Sequence, residues 1–179
     1  MPSWIFPDNT VLCNFAAIGR ADLLHAFLGD RGRWAEAVAA EAQKSADYLP
    51  DLFSLIKGAW LGEPIELTDP AHIRRIEVIR RDVFGGRSSE PLKHLGEAQT
   101  CFLIREVDEW RGSTWISDDR DALDFAMFQQ IPTMETIDIV RWLVASYDIT
   151  GADGMTLLKA MSDADRALRL PKSPGDLGG

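Results

Sequence analysis

Several acidic residues of this 179-residue chain fall where carboxylates could act together. Asp8 closes the short apolar run SWIFPD. Glu41 lies in AVAAEAQ, three residues past Val38, and Glu97 lies in HLGEAQT. Asp118 and Asp119 follow TWIS and precede RDALDFA. Carboxylates that converge on one point repel each other and raise one another's pKa values. A divalent cation relieves that repulsion, and an all-oxygen donor set favours magnesium or manganese. The chemistry this supports is metal-assisted hydrolysis of a phosphodiester. Taken singly, each acid also has a plain structural account. Asp8 after a proline suits a turn or cap, and Glu41 suits a solvated helix face. Glu97 near a helix start is favoured by the helix dipole, and Asp118 or Asp119 could cap the helix that follows. No serine or cysteine nucleophile with an evident base partner offers a competing chemistry.

The elements that must carry these acids alternate between strand-like and helix-like segments, the pattern of an α/β domain with a mainly parallel sheet. SWIFPD reads as a first strand, followed by a helix over NTVLCNFAAIG with Asn9 or Thr10 as its cap. RADLLHAFL continues as a second helix. RWAEAV reads as a short strand leading into a helix over AAEAQKSADYL, PDLFSLIKGAW as another short helix, and PIEL as a strand or extended edge segment. DPAHIRRIEVIRRDVFGG is the clearest amphipathic helix, with Asp69 as N-cap and Pro70 at the first helical position. Its apolar stripe is Ile73, Ile76, Ile79 and Val83, with Arg74, Arg75 and Arg81 turned away from it. After the loop GRSSEP come a helix over LKHLGEAQTCFLIREV, a strand STWISDD and a helix RDALDFAMFQQ. A strand IPTMET, a helix IDIVRWLVASY and a last helix ADGMTLLKAMSDADRAL complete the set. RLPKSPGDLGG reads as a mobile tail. The expected division is one domain over residues 1–170 and a flexible tail over 171–179. Asp8 and the Asp118–Asp119 pair would both sit on the carboxyl rim of such a sheet, where ligands collect.

Composition narrows the classes. Hydrophobic residues make up 46% and charged residues 26%, as in ordinary globular proteins, and no apolar run approaches the about 20 residues that span a bilayer. MPSWIFPDN has no basic segment followed by an apolar one, so no secretory signal is expected. Cys13 and Cys101 both sit in apolar patterns and read as reduced core thiols of a cytoplasmic protein. The three histidines show no zinc-ligand spacing. A net charge of -9 argues against broad nonspecific nucleic-acid binding but not against a carboxylate-based nuclease.

The order FPDNTVLCNFAAIGRADLL, AVAAEAQ, KHLGEAQT, WISDDRDALDFA resembles the PIN-domain nucleases, in particular the toxin (VapC-like) branch of toxin–antitoxin pairs. The resemblance covers about Trp4 to Pro171. It implies an α/β/α sandwich around a central, mainly parallel sheet, with an extra C-terminal helix, and acids that bind magnesium or manganese for cleavage of single-stranded RNA. By position it assigns the acids to Asp8, Glu41, Glu97 and the SDD segment. There the family pattern of a hydroxyl residue, any residue, then the acid favours Asp119, with Asp118 as second choice and Ser117 as the hydroxyl residue. The metal ligands it implies are Asp8, Glu97 and Asp119, supported by Asn9, Thr10 and Ser117. Asp118 is expected to cap the helix or assist from behind. The chain departs from compact family members in a long middle, residues 51–91, and in the added C-terminal helix.

The resulting expectation is a metal-dependent endoribonuclease, the toxin of a toxin–antitoxin pair, with a cognate antitoxin and a homodimer as family-level partners and no membrane. Arg74, Arg75, Arg81, Arg87 and Lys93 are candidate contacts to the RNA backbone, set against a solvated helix face. The alternatives are an interaction module with catalysis lost, using Trp34, Trp60 and Trp110 as a surface or simply packing them in the core, and a nuclease or phosphatase acting on another phosphoester.

Overall fold

The structure is a computed structural model that describes residues 4–146 and 148–178. Ser3 at the head of the first expected strand, Tyr147 at the end of an expected helix and Gly179 of the tail lie outside the described residues. Three short parallel strands, β1 (Ile5–Pro7), β2 (Thr114–Ile116) and β3 (Thr133–Met134), form one open sheet in the order β1-β2-β3. Ile5 pairs with Thr114 and Pro7 with Ile116, while Ile116 pairs with Met134. Ile5, Phe6, Trp115 and Ile116 are all buried, so β1 and β2 are covered on both faces, as parallel strands usually are.

Nine α-helices surround this sheet among the described residues: α1 (Asn9–Ala17), α2 (Ala21–Leu28), α3 (Glu36–Ser45), α4 (Asp51–Lys57), α5 (Pro70–Asp82), α6 (Leu95–Glu106), α7 (Arg120–Phe128), α8 (Thr136–Ala145) and α9 (Gly151–Asp163). α1 packs on α2, α3 and α4; α3 packs on α6 and α6 on α5; α8 packs on α2 and α9. Among the described residues no helix is long and apolar enough to cross a membrane. The chain is therefore a mixed α/β protein with a small parallel sheet, as its alternating pattern predicts.

The differences from the sequence reading have local causes. RWAEAV is not a strand: only single parallel bridges form, Ile5 with Gly32 and Ala35 with Ile65, and α3 begins at once with Glu36. The same bridge at Ile65 is all that PIEL contributes. On α5, Ile76 and Ile79 are buried, but Ile73 is 51% and Val83 37% exposed. In their place Arg80 is buried. Its guanidinium grips Glu77 at 2.8 Å and donates to the carbonyls of Glu90 and Lys93, so the 87–93 loop closes over it. The expected tail also differs. Pro174–Leu177 forms a 3-10 turn whose Leu177 is buried against α8 and α9. Asp176 accepts from the backbone N–H groups of Lys172 and Ser173, which gives this segment its own fold. Trp34 and Trp110 are core residues, and Trp60 stacks on His25 at 4.2 Å. Both cysteines are free and buried.

Candidate acidic site

The carboxyl ends of the three strands share one rim because the strands are parallel, and each leads into a helix. Asp8 is pinned there by its own N–H, which donates to the Ile116 carbonyl at 2.8 Å. It is also the N-cap of α1, accepting from Asn9 N–H at 2.7 Å through Oδ1. Its Oδ2 accepts from Thr10 Oγ1 at 2.9 Å and Ser117 Oγ at 3.2 Å. Ser117 is held in turn by its N–H bond to the Met134 carbonyl, so all three strands contribute to the placement of one carboxylate. Asn9, expected to orient Asp8 or to cap α1, sends its Nδ2 to Ser45 Oγ at 3.2 Å on α3 instead; the α1 cap is Asp8 itself.

Two helices bring the other acids. Glu41 comes from α3 and Glu97 from the first turn of α6. Gln99 ties those helices together, accepting from Ala37 N–H at 2.9 Å and donating to Glu36 at 3.0 Å. Gly96 permits the close approach: a Cβ at this position would lie 3.2 Å from Glu41 Oε1 and 3.1 Å from Val38 Cγ2. His94, in a left-handed conformation at the α6 N-cap, places Nδ1 3.2 Å from Glu97 Oε1. Glu41 also borders a cavity of about 290 Å³ that Leu92 and Leu95 line on its apolar side.

The electrostatics follow from this crowding. Burial first, then the Glu97 charge, raises the Asp8 carboxyl from its ordinary 3.8 to about 6, against the lowering effect of its three hydrogen bonds. Burial, then Asp8 and Glu97, raises Glu41 to about 8, with only Lys44 acting the other way. Asp8 thus senses the Glu97 charge, and Glu41 senses both Asp8 and Glu97. Among the described residues, no three His, Cys, Asp or Glu groups converge closely enough to hold a metal ion as they stand. The donor chemistry still suits a hard cation, since the facing groups are oxygen acids in want of positive charge.

In the SDD segment the cap expected of Asp118 is made by Asp119, and Asp118 takes the alternative place expected for it, behind the rim. Asp119 caps α7, accepting from Ala122 N–H at 2.9 Å through Oδ1, and is exposed. Asp118 is not a helix cap. It turns behind the rim and accepts from Thr136 N–H at 3.0 Å, from the Thr136 hydroxyl and from Asn14 Nδ2 at 2.8 Å. Burial raises its pKa, and those hydrogen bonds oppose the rise. The physical reason is reach: Thr136 opens α8 directly beyond β3, and its unpaired N–H lies beside Asp118. Asp119 Oδ2 takes no hydrogen bond from a described residue and faces the solvent side.

The arginine and lysine candidates do not gather at these acids. Arg75 pairs with Glu106 at 2.8 Å, Lys93 lies 3.9 Å from Glu90, and Arg74, Arg81 and Arg87 are exposed on α5 and its following loop. Sequence reasoning passed over Asn14, Gln99, Thr136, His94 and Arg166. Asn14 had a signal, a polar residue on the apolar face made by Val11, Leu12, Phe15 and Ile18. Thr136, a hydroxyl residue just past a strand, repeated the pattern of Ser117. His94 and Arg166 carried none.

The chain matches no family model, no curated protein and no solved structure.

Proposed function

We propose that this protein is a metal-dependent endoribonuclease of the PIN type, with its α/β/α layering, and that Asp8, Glu97 and Asp119 hold magnesium or manganese. The observation that carries the reading is that burial and the Glu97 charge raise Asp8, and burial with the Asp8 and Glu97 charges raises Glu41, beside the carboxyl rim of a parallel sheet. Carboxylates whose pKa values are raised by burial and by one another are typical of functional sites. A bound divalent cation would neutralise the acids and polarise a phosphodiester. Thr10 and Ser117 hold Asp8 in one orientation through its Oδ2. Glu41, raised to about 8, is suited to exchange a proton with water near neutral pH. The α1, α7 and α8 N-termini point their positive ends at the same rim, which favours a phosphate.

The role proposed for the protein is toxin of a toxin–antitoxin pair, cytoplasmic in keeping with its free thiols. The proposed antitoxin would answer the acids with an arginine or lysine, and a homodimer remains part of the same proposal. The test is cleavage of single-stranded RNA, single-stranded DNA and a small phosphomonoester with magnesium, with manganese and with EDTA. RNA cleavage that needs the cation and is lost in Asp8→Asn and Glu97→Gln, with folding retained, is the expected result. Cleavage that persists in both variants refutes the site.

One observation favours a second reading, an interaction module without catalysis: the acids are not drawn together closely enough to ligate an ion as they stand. Calorimetric titration with magnesium separates the two, because the module would show no cation site that Asp8→Asn removes.

A further inference from the structure

The segment after the last helix reaches the residues packed behind the acidic rim. After α9 the chain turns through Asp165, in a left-handed conformation, and Arg166 comes back onto α1. Arg166 Nε donates to Asn14 Oδ1 at 3.1 Å. Asn14 is 1% exposed and fully engaged, because its Nδ2 donates to Asp118 Oδ2 at 2.8 Å and to Thr136 Oγ1 at 3.1 Å. The guanidinium is therefore anchored through one nitrogen to a rigid buried amide, which itself is anchored to the SDD segment.

Its other nitrogens are uncommitted. Arg166 is half-buried, and neither terminal nitrogen has a hydrogen bond or an ion pair with a described residue. Other arginines of the chain, Arg20, Arg75, Arg80, Arg111, Arg141 and Arg169, each pair with a carboxylate. The Cys13 thiol marks how near Arg166 lies to the acids. Arg166 lowers the pKa of that thiol, while Asp8 and Glu41 raise it. A half-buried, pre-oriented guanidinium with free N–H groups suits bidentate recognition of a phosphate.

We infer that Arg166 is the phosphodiester-binding arginine of this site: Asn14 holds Nε, and the terminal nitrogens take a backbone phosphate of single-stranded RNA laid across the rim of Asp8 and Asp119. This rests on the nuclease reading above and adds a residue that reading does not contain. The fixed arginine offsets the repulsion between an RNA phosphate and the carboxylates, the chief obstacle to placing RNA on a chain of net charge -9. Asn14 and Asp118 become positioning residues, since they act through the arginine and touch no substrate.

The experiment measures binding of a fluorescein-labelled single-stranded RNA decamer by anisotropy, with calcium in place of magnesium, from 50 to 300 mM salt. Cleavage kinetics with magnesium accompany it. The proteins are the wild type, Arg166→Gln, Arg166→Lys and a control, Arg111→Gln, whose exposed arginine lies at the opposite end of β2. Arg166→Gln should bind RNA at least about tenfold more weakly, the size of one charge-assisted contact. Its salt slope should fall by about 0.7, the value for one phosphate on a single strand. Arg166→Lys should recover part of the affinity and the full slope. Thermal melting of Arg166→Gln should drop modestly through loss of the Asn14 bond, but the melting shift on adding magnesium should match the wild type in all three variants, which separates a phosphate contact from a disrupted cation site. RNA binding and cleavage by Arg166→Gln within twofold of an active wild type overturns the role of Arg166 and leaves the nuclease reading intact. A wild type that neither binds nor cleaves the decamer overturns both.

Discussion

Replacing Asp8 by Asn separates the charge of the site from its shape. Asn is as good an N-cap as Asp, so the bond to Asn9 N–H can persist, and the hydroxyls of Thr10 and Ser117 can rotate to suit an amide. What changes is the charge that burial and Glu97 oppose. Raising the Asp8 pKa from 3.8 to about 6 means that ionising it costs the folded protein about 3 kcal/mol relative to the unfolded chain. As pH rises above 3.8 the unfolded chain gives up this proton first, so it binds fewer protons and wild-type stability falls. The relative stability that protonated Asp8 retains is complete below pH 3.8 and lost as pH passes through about 6. In EDTA the stability of Asp8→Asn over wild type should therefore grow from about 0.5 kcal/mol at pH 4 to about 3 kcal/mol at pH 8. In a chain of this size that is a rise in Tm of roughly 6–12 °C. Urea unfolding followed by circular dichroism at pH 4, 6 and 8 reads the gap directly. Adding magnesium at pH 8 should narrow it by stabilising the wild type alone. A gap that is flat across this range, or a variant less stable than wild type at pH 8, refutes the account of Asp8 as a strained charge.

The two adjacent acids after β2 should differ sharply in stability. Asp118→Ala leaves donors of Asn14 and Thr136 without their acceptor and should cost about 2–4 kcal/mol, whereas Asp119→Ala loses one helix cap and should cost about 1 kcal/mol; equal losses in urea unfolding would contradict the division of roles. Leu177→Ala should lower stability by about 2–4 kcal/mol because Leu177 is only 2% exposed. A Tm within 1 °C of wild type, on the order of measurement error against the shift expected, would mean that the C-terminal turn is not docked.

Much of the fold was legible because its signals are local. Asp69 followed by Pro70 marked the start of α5, Asp8 marked the passage from β1 to α1, and short apolar runs ending in acids marked β1 and β2. The positions of Asp8, Glu41 and Glu97 were also legible one by one. Their nearness was not, since α3 and α6 owe their contact to Gly96 and to the side chain of Gln99, and neither has a local signature. The same holds for Arg80, whose place in the helical pattern looked no different from that of Arg81 until the 87–93 loop folded over it.

By itself the sequence determined most helices, the strands β1, β2 and β3 and the carboxylates at their ends, because caps, prolines and apolar spacing act within a few residues. Only the tertiary structure decided how Asp118 and Asp119 divide their roles, and that Arg166 returns to Asn14 across 152 residues. Those outcomes depend on which donor lies within about 3 Å of each carboxylate or amide, and that distance is set by packing between remote segments.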